Sequence, residues 1–177
     1  MSAAARAALA EPADGSTVAV LDVDGVLADV RHRLHHVERT PKDWGAFFAA
    51  MDADGPLEVG IELARLLDEA GHGIVYLTGR QEAHRGLTER WMREQGLPEG
   101  RLVMRPSSDR RPARQFKPSA LRRIAASARV VVVVDDDDAV VRVLAQEGWP
   151  VVHATWMHAG RSEQQTLFDA QEAEGLT

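Results

Sequence analysis

Five short runs of apolar, largely β-branched residues punctuate the chain: Thr17–Leu21, Ile74–Leu77, Arg101–Met104, Val130–Val134 and Pro150–His153. Each has the length of a strand and is continuous rather than alternating, which suits strands covered on both faces in a parallel sheet. Helical spacing fills the intervals. From Leu57 to Ala70, apolar residues recur at Val59, Leu63, Leu66, Leu67 and Ala70, and Gly71 follows as a stop signal. Glu82 to Gln95, Ser119 to Ala128 and Ala139 to Glu147 read as further helices, the first and last followed by Gly96 and Gly148. Strands alternating with helices predict an α/β fold, a Rossmann-like three-layer sandwich around a central parallel sheet. Ligands in such folds bind at the carboxyl ends of the strands.

The interval between the first two strands, "VRHRLHHVERTPKDWGAFFAAMDADGP", is longer than one crossover needs. Thr40, Pro41 and Asp43 have the pattern of a helix start: an N-cap, a proline at the first helical position and an acid at the third. Trp44, Phe47 and Phe48 then share one helical face. The expectation is a minimal helical cap insert at about residues 30–56, lying over the sheet edge, its aromatic face serving core packing rather than base stacking. Residues 16–160 are expected to form the folded unit. An Ala-rich leader (1–15) is expected to be disordered, and an acidic tail (161–177) to follow.

A length of 177 residues suits one domain with a substantial core. No apolar run approaches the roughly 20 residues that span a bilayer, and the N-terminus lacks the pattern of a signal peptide. A cytoplasmic location without membrane partners is the resulting expectation. The absence of cysteine excludes disulfides, thiolate metal sites and a cysteine nucleophile. The net charge of −6 argues against general nucleic-acid binding, but the charge is uneven. Arg105 to Arg123 carries seven basic residues and one acid. Such a patch suits a phosphate-bearing ligand, and equally a solvated arginine-rich loop. Of the 21 basic residues only Lys42 and Lys117 are lysines, so a compact ammonium at Lys117 is a candidate requirement of the chemistry.

The candidate chemistry gathers where the strands end. The first strand leads to Asp22 and Asp24, the second to Thr78, Gly79 and Arg80, the fourth to Asp135, Asp136, Asp137 and Asp138. Lys117 lies just before the helix that enters the fourth strand. In a parallel sheet these groups converge on one crevice. Crowded carboxylates repel unless a cation sits among them, and an oxygen-only donor set points to a hard ion, Mg²⁺. Asp137 and Asp138 are expected to be solvated residues opening the next helix, where acids suit the dipole. His32, His35 and His36 fit one face of a short helix, with no partner set for a metal. Val26 stands where a calcium loop wants an oxygen ligand.

"DVDGVL", "TGR", Lys117 and "VVVVDDDD" resemble, in order and spacing, the four motifs of haloacid dehalogenase-like (HAD) phosphatases, over Val18 to Ala154. The resemblance implies that Asp22 attacks phosphorus and forms an aspartyl-phosphate, and that Asp24 protonates the leaving oxygen and then activates water. Thr78 and the Gly79 N–H would hold the phosphoryl oxygens, and Lys117 would neutralise charge. Mg²⁺ would be held by Asp22, the Asp24 carbonyl and Asp136, with Asp135 in support. Asp24 favours phosphate chemistry, because dehalogenases of the family lack it. Val23-Asp24 also differs from the Lys-Thr of the ion-pumping branch.

"DVDGVLADVRHR", "LTGR", the basic loop leading to "FKPSAL" and "VVVVDDDDAVVRVLAQEGWPVV" are similar to the 3′-phosphatase domain of polynucleotide kinase-phosphatases. That likeness implies substrate-binding roles for Arg80 and for Arg33, with Arg31 the second choice. It also implies a phosphorylated nucleic-acid end or nucleotide as partner. No GxxxxGK[ST] occurs, so a stand-alone phosphatase is expected. A small-molecule 5′(3′)-nucleotidase is the alternative, since "DVDGVLAD" also resembles deoxyribonucleotidases, which carry a larger helical cap. A phospho-receiver module places its reactive acid on a later strand, and the later strands here end in "LTGR" and "VMRP". An idle phosphate-binding relative would not need the intact constellation. The aromatic insert is a candidate contact surface for an oligomer.

Overall fold

The computed structural model describes residues 16–157; the leader 1–15 and the tail 161–177 lie outside them. Five strands form one parallel sheet: β1 (Thr17–Leu21), β4 (Gly73–Gln81), β5 (Gly100–Arg105), β6 (Arg129–Asp135) and β7 (Val151–His153). Their order is β5-β4-β1-β6-β7, with β1 central. A two-residue antiparallel ribbon, β2 (Ala28–Asp29) with β3 (Gly55–Pro56), closes the segment between β1 and β4. That segment holds α1 (Arg31–Glu38), α2 (Trp44–Ala49) and a 3₁₀ turn at Met51–Ala53. The remaining helices are α3 (Glu58–Glu69), α4 (Arg85–Glu94, after a 3₁₀ turn at Glu82–His84), α5 (Ala113–Ile124) and α6 (Asp138–Glu147).

The continuous apolar runs are explained by burial on both faces. Val20, Val75, Leu77 and Val133 pack on Phe116, Ala120, Leu121 and Ile124 of α5 and on Val140 and Leu144 of α6. The alternate positions Ala19, Leu21, Ile74, Tyr76 and Val134 pack on Ile61 and Ala64 of α3 and on Trp91 and Met92 of α4. Successive side chains of a strand point to opposite faces, so a strand between two helical layers must be apolar at every position. A third cluster, with Val30, Leu34, Val37, Phe47, Phe48, Met51 and Leu57, holds the β1–β4 segment together.

Three local expectations are corrected. The N-cap of α2 is Asp43, whose carboxylate accepts the Ala46 N–H at 2.9 Å; Thr40 and Pro41 lie outside the helix. An aspartate placed three residues before a free N–H satisfies it without help from Thr40. Helix α5 starts at Ala113 rather than at Ser119, so Lys117 lies inside the helix. Pro118, the sixth residue of the helix, gives up the i→i−4 hydrogen bond to the Arg114 carbonyl there, and the helix continues past it to Ile124. Asp137 is buried rather than solvated: its carboxylate caps α6 by accepting the Ala139 and Val140 N–H groups at 2.8 and 3.2 Å. Asp138 is exposed in the first turn, as expected.

Candidate active site

The carboxyl ends of β1, β4 and β6 bring together Asp22, Asp24, Thr78, Arg80, Lys117, Asp135 and Asp136, all of them buried. Helix α5 delivers Lys117 from the side. Its Nζ donates to Asp22 Oδ2 at 2.6 Å and to Asp135 Oδ2 at 2.8 Å, tying the ends of β1 and β6 together. The other Asp22 oxygen accepts the Val23 N–H at 2.8 Å. Burial pushes Lys117 down, but Asp135 and Asp22 outweigh it and hold the ammonium firmly charged.

Asp22, Asp135 and Asp136 form a carboxylate cluster whose ligand oxygens lie within 4.8 Å of one another. Burial, assisted by Asp135 and Asp24, raises the Asp22 carboxyl to about 7 against the pull of Lys117. Asp136 is also raised well above the ordinary carboxylate value, by burial and then by Asp22 and Asp135. Such a cluster is unstable as bare anions, and a hard divalent cation relieves it. Gly25, at φ +74°, lies against Asp136; a Cβ there would fall 1.7 Å from Asp136 Oδ2. The donor chemistry and this close fit suit Mg²⁺. Asp135 is already engaged, with Oδ2 on Lys117 and Oδ1 accepting the Asp137 N–H at 3.1 Å, which suits the supporting role.

Asp24 faces the other way. Its Oδ1 accepts Arg33 Nη2 at 2.8 Å and Arg80 Nη2 and Nε at 2.5 and 3.0 Å. Burial alone would raise this carboxyl, but Arg80 and Arg33 more than offset it and hold it below the usual range. Thr78 Oγ1 accepts the Arg80 N–H at 3.1 Å, leaving its own proton to donate.

The residue that sequence reasoning missed is Asp54. It ends the 3₁₀ turn after α2 and is buried. Its Oδ1 accepts Arg33 Nε at 2.7 Å, and its Oδ2 accepts Arg33 Nη2 at 2.9 Å and Arg80 Nη2 at 2.6 Å. His32 Nε2 lies 2.8 Å from the same Oδ1, and Trp91 Nε1 donates to the Asp54 carbonyl at 2.7 Å. Two arginines and two aspartates thus form a charge-balanced buried square. In "MDADGP" nothing distinguishes Asp54 from an ordinary turn acid.

Arg33 enters the site and Arg31 does not: Arg31 is exposed and pairs with Asp29. The Arg33 guanidinium also lies 4.2 Å over the Phe47 ring. Phe47 and Phe48 are buried, and Trp44 and His84 stack on Phe48, so the aromatic face packs inward. Part of the basic stretch from Arg105 to Arg123 is tied up internally. Arg111 pairs with Asp109, Arg122 with Glu147, and the buried Arg105 lies over Phe116. His35 and His36 touch each other on α1, their ring centroids 3.9 Å apart.

No helix of the described residues is long and apolar enough to cross a membrane. No curated protein matches the sequence. The fold is similar to a chain of the Pnkp1/Rnl/Hen1 RNA repair complex, with TM-score 0.68 and 21% identity over 81% of this chain. The match covers 44% of that chain, so this protein corresponds to less than half of it. A class C acid phosphatase from Bacillus anthracis with tungstate bound has TM-score 0.58 and 15% identity, covering 94% of this chain and 82% of that one. A HAD family enzyme from Bacteroides thetaiotaomicron, in complex with magnesium and inorganic phosphate, has TM-score 0.50 and 11% identity, covering 84% and 98%. The family described as the polynucleotide kinase PNKP phosphatase domain matches residues 16–155. The chain therefore belongs to the PNKP phosphatase domain family and is a HAD-type phosphatase.

Proposed function

We propose that this protein is a Mg²⁺-dependent phosphomonoesterase that works through an aspartyl-phosphate on 3′-phosphorylated nucleic-acid ends. The observation that carries the reading is the Lys117 bridge between Asp22 and Asp135 beside the Asp24–Arg33–Arg80 group. It puts a positioned nucleophile, a second carboxylate and phosphate-sized cationic groups in one crevice. The match to the PNKP phosphatase domain family and the likeness to a chain of an RNA repair complex support the choice of substrate.

Asp22 supplies the attacking oxygen, steered by Lys117 and by the Val23 N–H. The new Asp22 O–P bond forms as the ester P–O bond breaks. The leaving alkoxide takes a proton from Asp24, which in the second step accepts one from the attacking water as phosphate is released. Thr78, the Gly79 N–H and Lys117 hold the phosphoryl oxygens. A phosphoryl group that draws Arg33 and Arg80 to itself would uncover Asp24 Oδ1, their shared acceptor in the substrate-free protein, and let that carboxylate take from solvent the proton it then gives to the leaving oxygen. Mg²⁺, held by Asp22, the Asp24 carbonyl and Asp136 with Asp135 behind them, would neutralise charge on the transferring group.

The test is phosphate release with Mg²⁺ from a 3′-phosphorylated oligonucleotide, a 5′-phosphorylated one and free nucleoside monophosphates, with Asp22→Asn as control. Preference for the 3′-phosphorylated oligonucleotide is expected. Preference for mononucleotides would replace this reading with a small-molecule nucleotidase.

A further inference from the structure

The Asp136–Asp137 peptide carries the carboxylate that lies against Gly25. Its N–H end is held by Asp135 Oδ1 at 3.1 Å. Its carbonyl end meets His153 Nε2 at 3.0 Å, at the exit of β7. A carbonyl only accepts, so Nε2 carries the proton and donates it. The next residue continues the bracing, for the Ala154 N–H donates to the Asp135 carbonyl at 2.8 Å. Two residues on, Trp156 Nε1 donates to the Val26 carbonyl at 2.9 Å. Val26 follows Gly25, and its carbonyl is also pressed by α3, where a Cβ on Gly60 would fall 1.8 Å from it. One four-residue segment therefore touches both acidic loops.

We propose that His153 is a positioning residue for the cation site: by holding the Asp136 carbonyl it fixes the peptide that aims the Asp136 carboxylate beside Gly25. The inference rests on the reading that Asp22 and Asp136 hold Mg²⁺. Rotation of that peptide would swing Asp136 away from Asp22, and the His153 bond resists it together with the Asp135 bond to the N–H end and the tight fit against Gly25. Partners that orient a ligand are typically worth tenfold to a hundredfold in metal affinity. His153 is exposed, so its side chain can be changed without opening the core.

The experiment is calorimetric titration of the substrate-free protein with Mg²⁺ alone, for wild type, His153→Phe, His153→Ala and His153→Gln. Phe keeps a ring and loses the donor, whereas the Gln amide can donate to the same carbonyl. The expected result is a Kd for Mg²⁺ raised about tenfold or more in the Phe and Ala variants and within about threefold of wild type in the Gln variant. A Phe variant that binds like wild type would overturn the inference. So would a Gln variant as weak as the Phe one, because the donor would then be irrelevant. Loss of the melting transition in all three variants would place His153 in the fold rather than in the cation site, and would overturn it too. No Mg²⁺ binding by wild type would sink the cation reading itself and the inference with it.

Discussion

Asp54 Oδ2 and Arg80 Nη2 lie 2.6 Å apart, both groups fully withdrawn from solvent, although 26 positions separate them in the chain. The same carboxylate holds Arg33. Removing Asp54 would leave two buried guanidiniums facing Asp24 alone. Breaking a buried pair by deleting one partner costs about 3–5 kcal/mol. Asp54→Ala is therefore expected to lower unfolding stability by about that amount in urea melts, and phosphate release with it. Stability within 1 kcal/mol of wild type would show that the pairing contributes little.

Asp22, Asp135 and Asp136 crowd together, with Lys117 bridging Asp22 and Asp135 on one side. A cation that binds only the folded form stabilises it by mass action, by roughly 2.7 kcal/mol at a hundredfold excess over Kd. Mg²⁺ is expected to raise the melting temperature of wild type, and chelation to reverse the gain. Asp136→Asn should abolish the shift while leaving the protein folded. A melting temperature indifferent to Mg²⁺ would count against the cation reading.

Gly25 has two reasons to be glycine. Its φ of +74° disfavours a side chain, and a Cβ would overlap Asp136 Oδ2 at 1.7 Å. Gly25→Ala must displace Asp136. The expected outcome is loss of phosphate release by at least about a hundredfold with the far-ultraviolet dichroism unchanged. Near-wild-type turnover would mean that Asp136 needs no fixed position.

Hydrogen bonds from Arg111 hold the Asp109 carboxyl down at about 2, in the loop after β5. A depressed acid contributes stability above its unfolded value, near 3.8, and loses it as pH falls towards 2. Arg111 is half exposed, so the pair is worth at most about 1 kcal/mol. Asp109→Asn is expected to be slightly less stable than wild type at pH 7, and the difference should shrink below about pH 4 and disappear as pH falls through 2. Equal stability at both pH values would show that this tie does not hold the loop.

The sequence by itself determined the sheet and most of the crevice. Strands buried on both faces must be apolar at consecutive positions, so the runs at Thr17, Ile74 and Val130 declare themselves. The polar residues that end them, Asp22, Asp24, Thr78, Arg80, Asp135 and Asp136, are then brought together by parallel pairing alone. What depends on the register of distant side chains was decided only by the tertiary structure. Asp54 reads as a turn acid until packing sets it between Arg33 and Arg80. Asp137 reads as a solvated helix opener until burial makes it a cap that accepts two N–H groups. Thr40 and Pro41 imitate a helix start that Asp43 supplies. Periodicity reports which face of an element is buried, a local property. Charge pairing inside the fold is chosen among all the groups that packing brings within about 3 Å, and their separation in sequence gives no clue.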